Sequence, residues 1–260
     1  MEFNAIIYEK RNLIARIILH RPETRNALNF QMVEEIIQAL KQAKGDEDVR
    51  VVVITGSDDA FCAGMDINFA MTVTPKEFNR YHEMWYTELT NILHMLGKPV
   101  IAAVNGVCVG GGCGLMSRCD VIIASERARF GYSEINVGAN PAVHLTVLPQ
   151  MTSRIKAFEL IFTGDFISAK EMEQLGLVNK VVPHNKLEDA VSQMAEKFTG
   201  KSPAIVRCLR DAFYRVPGVD YKASLSNTGE EINAALYPLE DSKEGRQAFI
   251  EKRSPVWKGR

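Results

Sequence analysis

Two stretches of this 260-residue chain pair a strand-like apolar run with a loop that carries little side-chain bulk. Val51-Val52-Val53-Ile54-Thr55 precedes Ala60-Phe61-Cys62-Ala63-Gly64-Met65-Asp66-Ile67. Val100-Ile101-Ala102-Ala103-Val104 precedes Asn105-Gly106-Val107-Cys108-Val109-Gly110-Gly111-Gly112-Cys113-Gly114. Glycine turns with positive φ and lets a ligand approach the backbone. The second loop leads into Leu115-Met116-Ser117, where a helix is expected. The first turn of a helix has unpaired N–H groups and the positive end of the dipole. Two such loops side by side aim two backbone N–H donors at one oxygen, which is the construction of an oxyanion hole.

A third candidate is Glu134, in Phe130-Gly131-Tyr132-Ser133-Glu134-Ile135 and followed by Val137-Gly138-Ala139. Apolar neighbours disfavour the charged form of a carboxylate, which suits a group that takes and returns a proton. Cys113 is a possible nucleophile in the glycine loop, but no histidine lies near it in sequence. The set of His, Cys and Asp positions shows no metal-ligand spacing, so no metal is expected.

Strand-like and helix-like segments alternate. Ile6-Ile7-Tyr8 and Ile14 to Leu19 read as an opening hairpin, and Val121 to Ala124 as another buried strand. Helical spacing is present from Phe30 to Ala43, Pro75 to Leu96, Ser153 to Phe162, Ser168 to Gly176, Leu187 to Phe198 and Pro203 to Tyr214. This alternation predicts an α/β chain with a mostly parallel sheet and helices outside. Beyond residue 200 the strand signal fades, and a helical appendage is expected.

Composition narrows the function classes. Apolar residues make up 46% and charged residues 24%, which predicts a packed core. A formal net charge of -1 supplies no attraction for nucleic acid or an anionic membrane. No run of 18 apolar residues appears, and Met1-Glu2-Phe3-Asn4 does not open like a signal peptide. Five cysteines without a C-x-x-C pair fit reduced thiols and a cytoplasmic location.

The two loops and the Glu134 phrase resemble the crotonase superfamily, the enoyl-CoA hydratase/isomerase family. The resemblance takes in His20-Arg21-Pro22-Glu23-Thr24-Arg25-Asn26-Ala27-Leu28 and Phe162-Thr163-Gly164-Asp165. It continues from Ala169 through Gly176-Leu177-Val178-Asn179-Lys180-Val181-Val182-Pro183 and closes with Gly245 to Arg253. It implies a crotonase-like spiral of ββα turns over residues 1–199, followed by a helical region, 200–260, that packs into homotrimers or homohexamers. It implies an acyl-CoA thioester substrate and no cofactor, coenzyme A being part of the substrate.

The resemblance also assigns residues. The N–H groups of Met65 and Gly111 would hold the thioester oxygen, and Glu134 would act as acid and base. Arg25 and Ala27 would lie near the nucleotide, and Ala63, Asp66 and Ile67 around the adenine and pantetheine. Gly112 would also lie at the CoA site. Phe249 and Lys252 would reach the phosphates bound by a neighbouring subunit. A relative binds RNA through a lysine-rich helix; the matching segment here, Val33 to Lys44, carries Glu34 and Glu35 and is followed by Asp46-Glu47-Asp48, so nucleic acid is not expected.

The chain departs from the pattern at two places. Typical hydratases carry a second glutamate where this chain has Gly114, and some relatives carry an acid where it has Ala142. One carboxylate suits double-bond migration. It also suits hydration by a single glutamate, as in hydroxycinnamoyl-CoA hydratase-lyases, which share methionine at the first oxyanion position and a phrase like Ser133-Glu134-Ile135-Asn136. A non-catalytic acyl-CoA-binding protein is the alternative from another class. Tyr81, His82, Glu83, Tyr86, Asn140 and His144 are the polar side chains placed to stand in for the missing acid. A lone histidine on a helix more often serves packing.

Overall fold

The computed structural model describes residues 3–216 and 220–260; Met1, Glu2 and positions 217–219 lie outside the described residues. The chain opens with an antiparallel hairpin, β1 (Ile6–Arg11) and β2 (Ile14–Leu19), and then α1 (Phe30–Gly45). Asn29 caps α1 by accepting from the Met32 amide, and Met32, Val33, Ile36, Ile37 and Leu40 form its buried stripe.

A repeating unit follows. β3 (Val51–Gly56) and β4 (Ala60–Cys62) lead to α2 (Ile67–Thr72), α3 (Pro75–His82) and α4 (Leu89–His94). β5 (Val100–Val104) and β6 (Val107–Val109) lead to α5 (Gly111–Met116). β7 (Val121–Ser125) and β8 (Arg129–Gly131) lead to α6 (Ala142–Met151) and α7 (Arg154–Thr163). The first strand of each unit joins one sheet, ordered β1-β2-β3-β5-β7-β10, and the second joins another, ordered β4-β6-β8-β9. The remaining elements are β9 (Phe166–Ser168), α8 (Ala169–Gln174), β10 (Lys180–Val182) and α9 (Leu187–Thr199), then α10 (Pro203–Arg215), α11 (Tyr221–Leu236) and α12 (Glu240–Glu251). This is the ββα spiral with a helical C-terminal region.

The larger sheet is buried on both faces. Val52, Ile54, Val100, Ala102 and Val104 enter the main core. Their neighbours Val51, Val53, Ile101 and Ala103 pack under Leu187, Ala190, Val191 and Ala195 of α9. That double burial is why these strands read as continuous apolar runs.

Two features differ from the sequence reading. The helix expected from Pro75 to Leu96 ends at His94 and is interrupted by a π-helical segment, Glu83–Glu88. The extra residue per turn places Met84 and Trp85 in the core and leaves Tyr86 half-buried. The second sheet is built of three-residue strands, too short for a period to show.

Buried amides fix the first loop. Asn26 Nδ2 donates to the carbonyls of Ala60 (2.8 Å) and Ser57 (3.0 Å). Asn105 Nδ2 donates to Asp58 (2.7 Å) and Ala60 (3.2 Å). The chain between β3 and β4 is thereby tied to the end of β5, and the loop after β4 is set beside the loop after β6.

Candidate active site

The two loops meet as expected. Leu28 and Met65 form a parallel bridge in which the Leu28 amide donates to Gly64 (2.7 Å) and the Asp66 amide donates to Leu28 (2.9 Å). In such a bridge the Met65 amide between them points to the opposite edge. That edge faces Gly111: a Cβ built on Gly111 would lie 3.6 Å from the Met65 nitrogen. Gly111 is the first residue of α5, so its own N–H has no partner within the helix.

Two glycines allow this approach. Gly64 has φ +92, and a Cβ there would stand 2.9 Å from the Val109 carbonyl oxygen. Gly110 has φ 50 and ψ -119, a region closed to residues with a side chain. A Cβ on Gly110 would also lie 3.3 Å from Glu134 Oε1, so the carboxylate rests against the oxyanion loop.

Glu134 stands on a 3-10 turn, Ser133–Val137. Its burial has a different source from the one the sequence suggested. Ile135 and Val137 are exposed; the loop at Gly110 and the side chain of His144 cover the carboxylate instead. His144 Nε2 is 2.9 Å from Glu134 Oε1 and 3.1 Å from the Gly110 carbonyl oxygen. A carbonyl only accepts, so Nε2 carries the hydrogen and is shared between the two oxygens. Glu134 Oε2 is buried without any hydrogen-bond partner. A buried, unpartnered carboxylate oxygen is costly unless something else engages it, so Oε2 is left free for a bound molecule.

His144 was the one substitute for the missing acid that the structure brings to Glu134. It is 2% exposed, on the first turn of α6, with its ring edge-on to Tyr132 at 4.8 Å. It also fills space that a second glutamate would need: a Cβ on Gly114 would meet Trp85 at 3.3 Å, Val143 at 3.6 Å and His144 at 3.7 Å. Tyr86 is half-buried and close enough to feel the Glu134 charge, with no hydrogen bond to it; the remaining candidates stand elsewhere. Tyr81 is buried against Phe69, Glu83 pairs with Arg80 (2.8 Å), and Asn140 is exposed. His82 contacts Phe78 and Tyr86. Replacing His144 by Phe should lower turnover by about 10- to 100-fold with little change in KM, because Oε1 loses its donor inside the protein. H144Q keeps an N–H and should recover part of the loss in steady-state kinetics.

The residues expected around CoA divide. Arg25 is exposed in a left-handed conformation (φ 53), and its carbonyl accepts the Ala63 amide at 3.0 Å. Ala27 is buried beside them, and Ile67 is 55% exposed at the start of α2. These four residues thus share one rim of the first loop. Two others also have a part inside the protein. The Asp66 carboxylate is spent inside the protein: Oδ2 accepts from Arg21 (3.0 Å) and Oδ1 caps α2 at the Phe69 amide (3.2 Å). Gly112 packs its α-carbon against Cys62, leaving no room even for a Cβ. Arg21, which also donates to the Ala27 carbonyl (2.7 Å), organises this rim and carried no expectation. Phe249 is 86% exposed on α12 and Lys252 closes that helix; neither hydrogen-bonds to the two loops.

Cys113 Sγ donates to the Cys108 carbonyl at 3.0 Å, and burial pushes the Cys62 thiol up to about 12. These thiols serve packing rather than nucleophilic chemistry. Among the described residues no group of three or more His, Cys, Asp or Glu side chains could hold a metal, and no helix is long and apolar enough to cross a membrane.

Comparison with known proteins agrees with this geometry. The family model described as enoyl-CoA hydratase/isomerase matches residues 9–260. A probable mitochondrial enoyl-CoA hydratase of Dictyostelium discoideum is 38% identical over 254 residues, covering 96% of this chain and 89% of that protein. A short-chain-enoyl-CoA hydratase of Clostridium acetobutylicum is 34% identical over 255 residues, covering 97% of each. The crystal structure of an enoyl-CoA hydratase from Bacillus anthracis superposes with a TM-score of 0.93 at 33% identity, over 99% of this chain and 100% of that one. With the two loops, the spiral and this likeness over nearly its whole length, the chain belongs to the enoyl-CoA hydratase/isomerase family and is an enzyme of that type.

Proposed function

We propose that the protein hydrates the double bond of an α,β-unsaturated acyl-CoA with Glu134 as its single acid/base. The observation that carries this reading is the asymmetry of that carboxylate: Oε1 is held by His144, and Oε2 is buried and unpartnered. The thioester oxygen sits between the Met65 and Gly111 amides. Glu134 Oε2 takes a proton from water as the water oxygen attacks C3. The electrons move to the thioester oxygen, where the two N–H groups stabilise the enolate. Oε2 then returns the proton to C2, and the carboxylate is regenerated. His144 keeps Oε1 fixed so that the same oxygen performs both transfers. The relatives' names support hydration, and no metal or cofactor enters the scheme.

Double-bond migration is the second reading, favoured by Gly114. With no second carboxylate to hold water, Oε2 would take a proton from C2 of a β,γ-enoyl-CoA and return it to C4 of the resulting dienolate, whose oxygen is held by the same two N–H groups. Incubation of crotonyl-CoA, a β,γ-enoyl-CoA and feruloyl-CoA in heavy-oxygen water, read by mass spectrometry, separates the outcomes. The expected result is uptake of labelled oxygen by crotonyl-CoA. A shifted bond without label means isomerase, an aldehyde from feruloyl-CoA means hydratase-lyase, and unchanged substrates would leave an acyl-CoA-binding protein.

Arg25, Ala27, Ala63 and Ile67 are assigned to the CoA moiety, and Phe249 and Lys252 to the CoA of an adjacent subunit. Assembly into homotrimers or homohexamers through residues 200–260 is part of the same reading. Exposed Phe213, Phe249 and Ile250, and the exposed Ile155, Phe158 and Phe162 on α7, are surfaces that an assembly would cover. Five free cysteines suit the cytoplasm. Neither nucleic acid nor a membrane has a place in this scheme.

A further inference from the structure

A cavity of about 900 Å³ lies between the π-helical segment, α6 and α10, bounded in part by Tyr86, Ser117, Arg118, Val143, Val147 and Met151. It is mostly apolar, and one wall carries a charge. Arg118 is 6% exposed. Its guanidinium lies 4.6 Å from the centre of the Trp85 ring, and NH1 donates to the Trp85 carbonyl at 3.1 Å. Among the described residues that is its only hydrogen bond from a side chain with five N–H donors, and no carboxylate pairs with it. Asp120 also lines the cavity, but it is taken by Arg210 (2.9 Å) and by the Tyr214 hydroxyl. Burial lowers the Arg118 guanidinium to about 10, the direction expected for a charge removed from water without a counter-ion. Buried charges are paired or very costly, so an unpaired one facing a cavity implies an anion supplied from outside.

The cavity lies beside the proposed acyl site. Val143 lines it and also borders Gly114, next to His144. Tyr86 lines it and feels the charges of both Arg118 and Glu134. α5 runs from Gly111 to Met116 and Arg118 follows two residues later, so at about 1.5 Å per helical residue its backbone lies on the order of 10 Å from the Gly111 amide. That separation suits the far end of a medium-length acyl chain.

We propose that Arg118 binds a carboxylate at the distal end of the acyl group, so that the substrate is the mono-CoA thioester of an unsaturated dicarboxylic acid. This rests on the acyl-CoA reading above and names its substrate class. Hydrogen bonds between Arg and carboxylate are charge-assisted and bidentate in favourable cases. The cavity is otherwise apolar and holds the methylene chain.

The test uses saturated thioesters, which bind without turnover. Calorimetric titration of the wild-type protein with the mono-CoA thioester of adipic acid and with hexanoyl-CoA compares the same chain length with and without the carboxylate. The expected result is about 10- to 100-fold tighter binding of the dicarboxylic thioester. In R118M that preference should disappear, and in R118K it should survive in part. Equal binding of the two thioesters by the wild-type protein would overturn the proposal, whatever the variants do. So would a preference that persists in a folded R118M. Binding of neither thioester would overturn the acyl-CoA reading itself, and this proposal with it.

Discussion

Glu134→Gln should lower turnover of the enoyl-CoA substrate by about 10²- to 10⁴-fold, the range that a positioned general acid/base contributes. The substitution preserves shape. The Gln carbonyl can accept from His144 Nε2 in place of Oε1, and the amide nitrogen takes the position of the unpartnered Oε2. Fold and thioester binding should therefore survive, with the loss in kcat and not in the affinity for a saturated acyl-CoA. A single-site scheme makes this sharper than it would be in an enzyme with two carboxylates. Here Gly114 offers no acid, and His144 is engaged with Oε1 and the Gly110 carbonyl. Turnover within about tenfold of the parent enzyme, measured by loss of the enoyl chromophore, would remove Glu134 from the mechanism.

Gly112→Ala should have the largest effect on the fold near the site. A methyl group there would overlap the Cys62 carbonyl oxygen and lie 2.9 Å from Cys62 Cβ and 3.0 Å from its carbonyl carbon. Two of these atoms are backbone, so no rotamer change relieves the clash. Relief requires α5 and β4 to separate, in a region where β4 and all of α5 but Gly111 are buried. Overpacking of a rigid core costs about 3 kcal/mol at the upper end of the usual range. For a chain of this size that corresponds to a melting temperature lower by roughly 6–12 °C. The same separation would pull Met65 and Gly111 apart, so residual activity should fall by more than the loss of folded protein explains. A melting temperature within about 2 °C of the parent would show that the loops yield more easily than their packing suggests.

The long apolar elements of this molecule could be read from its sequence because they are buried in a simple way. Strands such as Val51–Gly56 are covered on both faces, and α1 presents one stripe to the core. The short strands of the second sheet could not be read, since three residues carry no period and their burial depends on partners far along the chain. The π-helical segment was hidden for a related reason: Pro75 to His94 keeps a helical pattern, and one extra residue in a turn shifts faces without breaking it. Met65, Gly111 and Glu134 could be singled out as candidates because backbone donors need glycine-rich chain and the carboxylate sits in a recognisable phrase. Asp66 and Gly112 have a second part that the sequence does not show, because the same loop that approaches a ligand must also cap a helix and pack against Cys62. His144 and Arg118 carry no local signal. Their meaning comes from Glu134, ten residues away in sequence, and from a cavity closed by α10.

The central claim is that the Met65 and Gly111 amides and the Glu134 carboxylate form one site around a thioester. Its most direct test is the infrared difference spectrum of a saturated acyl-CoA labelled with ¹³C at the thioester carbonyl, free and bound. Two convergent N–H donors polarise that carbonyl, so its stretch should move to lower frequency on binding, in the parent enzyme and in Glu134→Gln alike. A bound thioester whose carbonyl stretch stays at its solution frequency would contradict the account, because the oxygen would then lie outside the two loops.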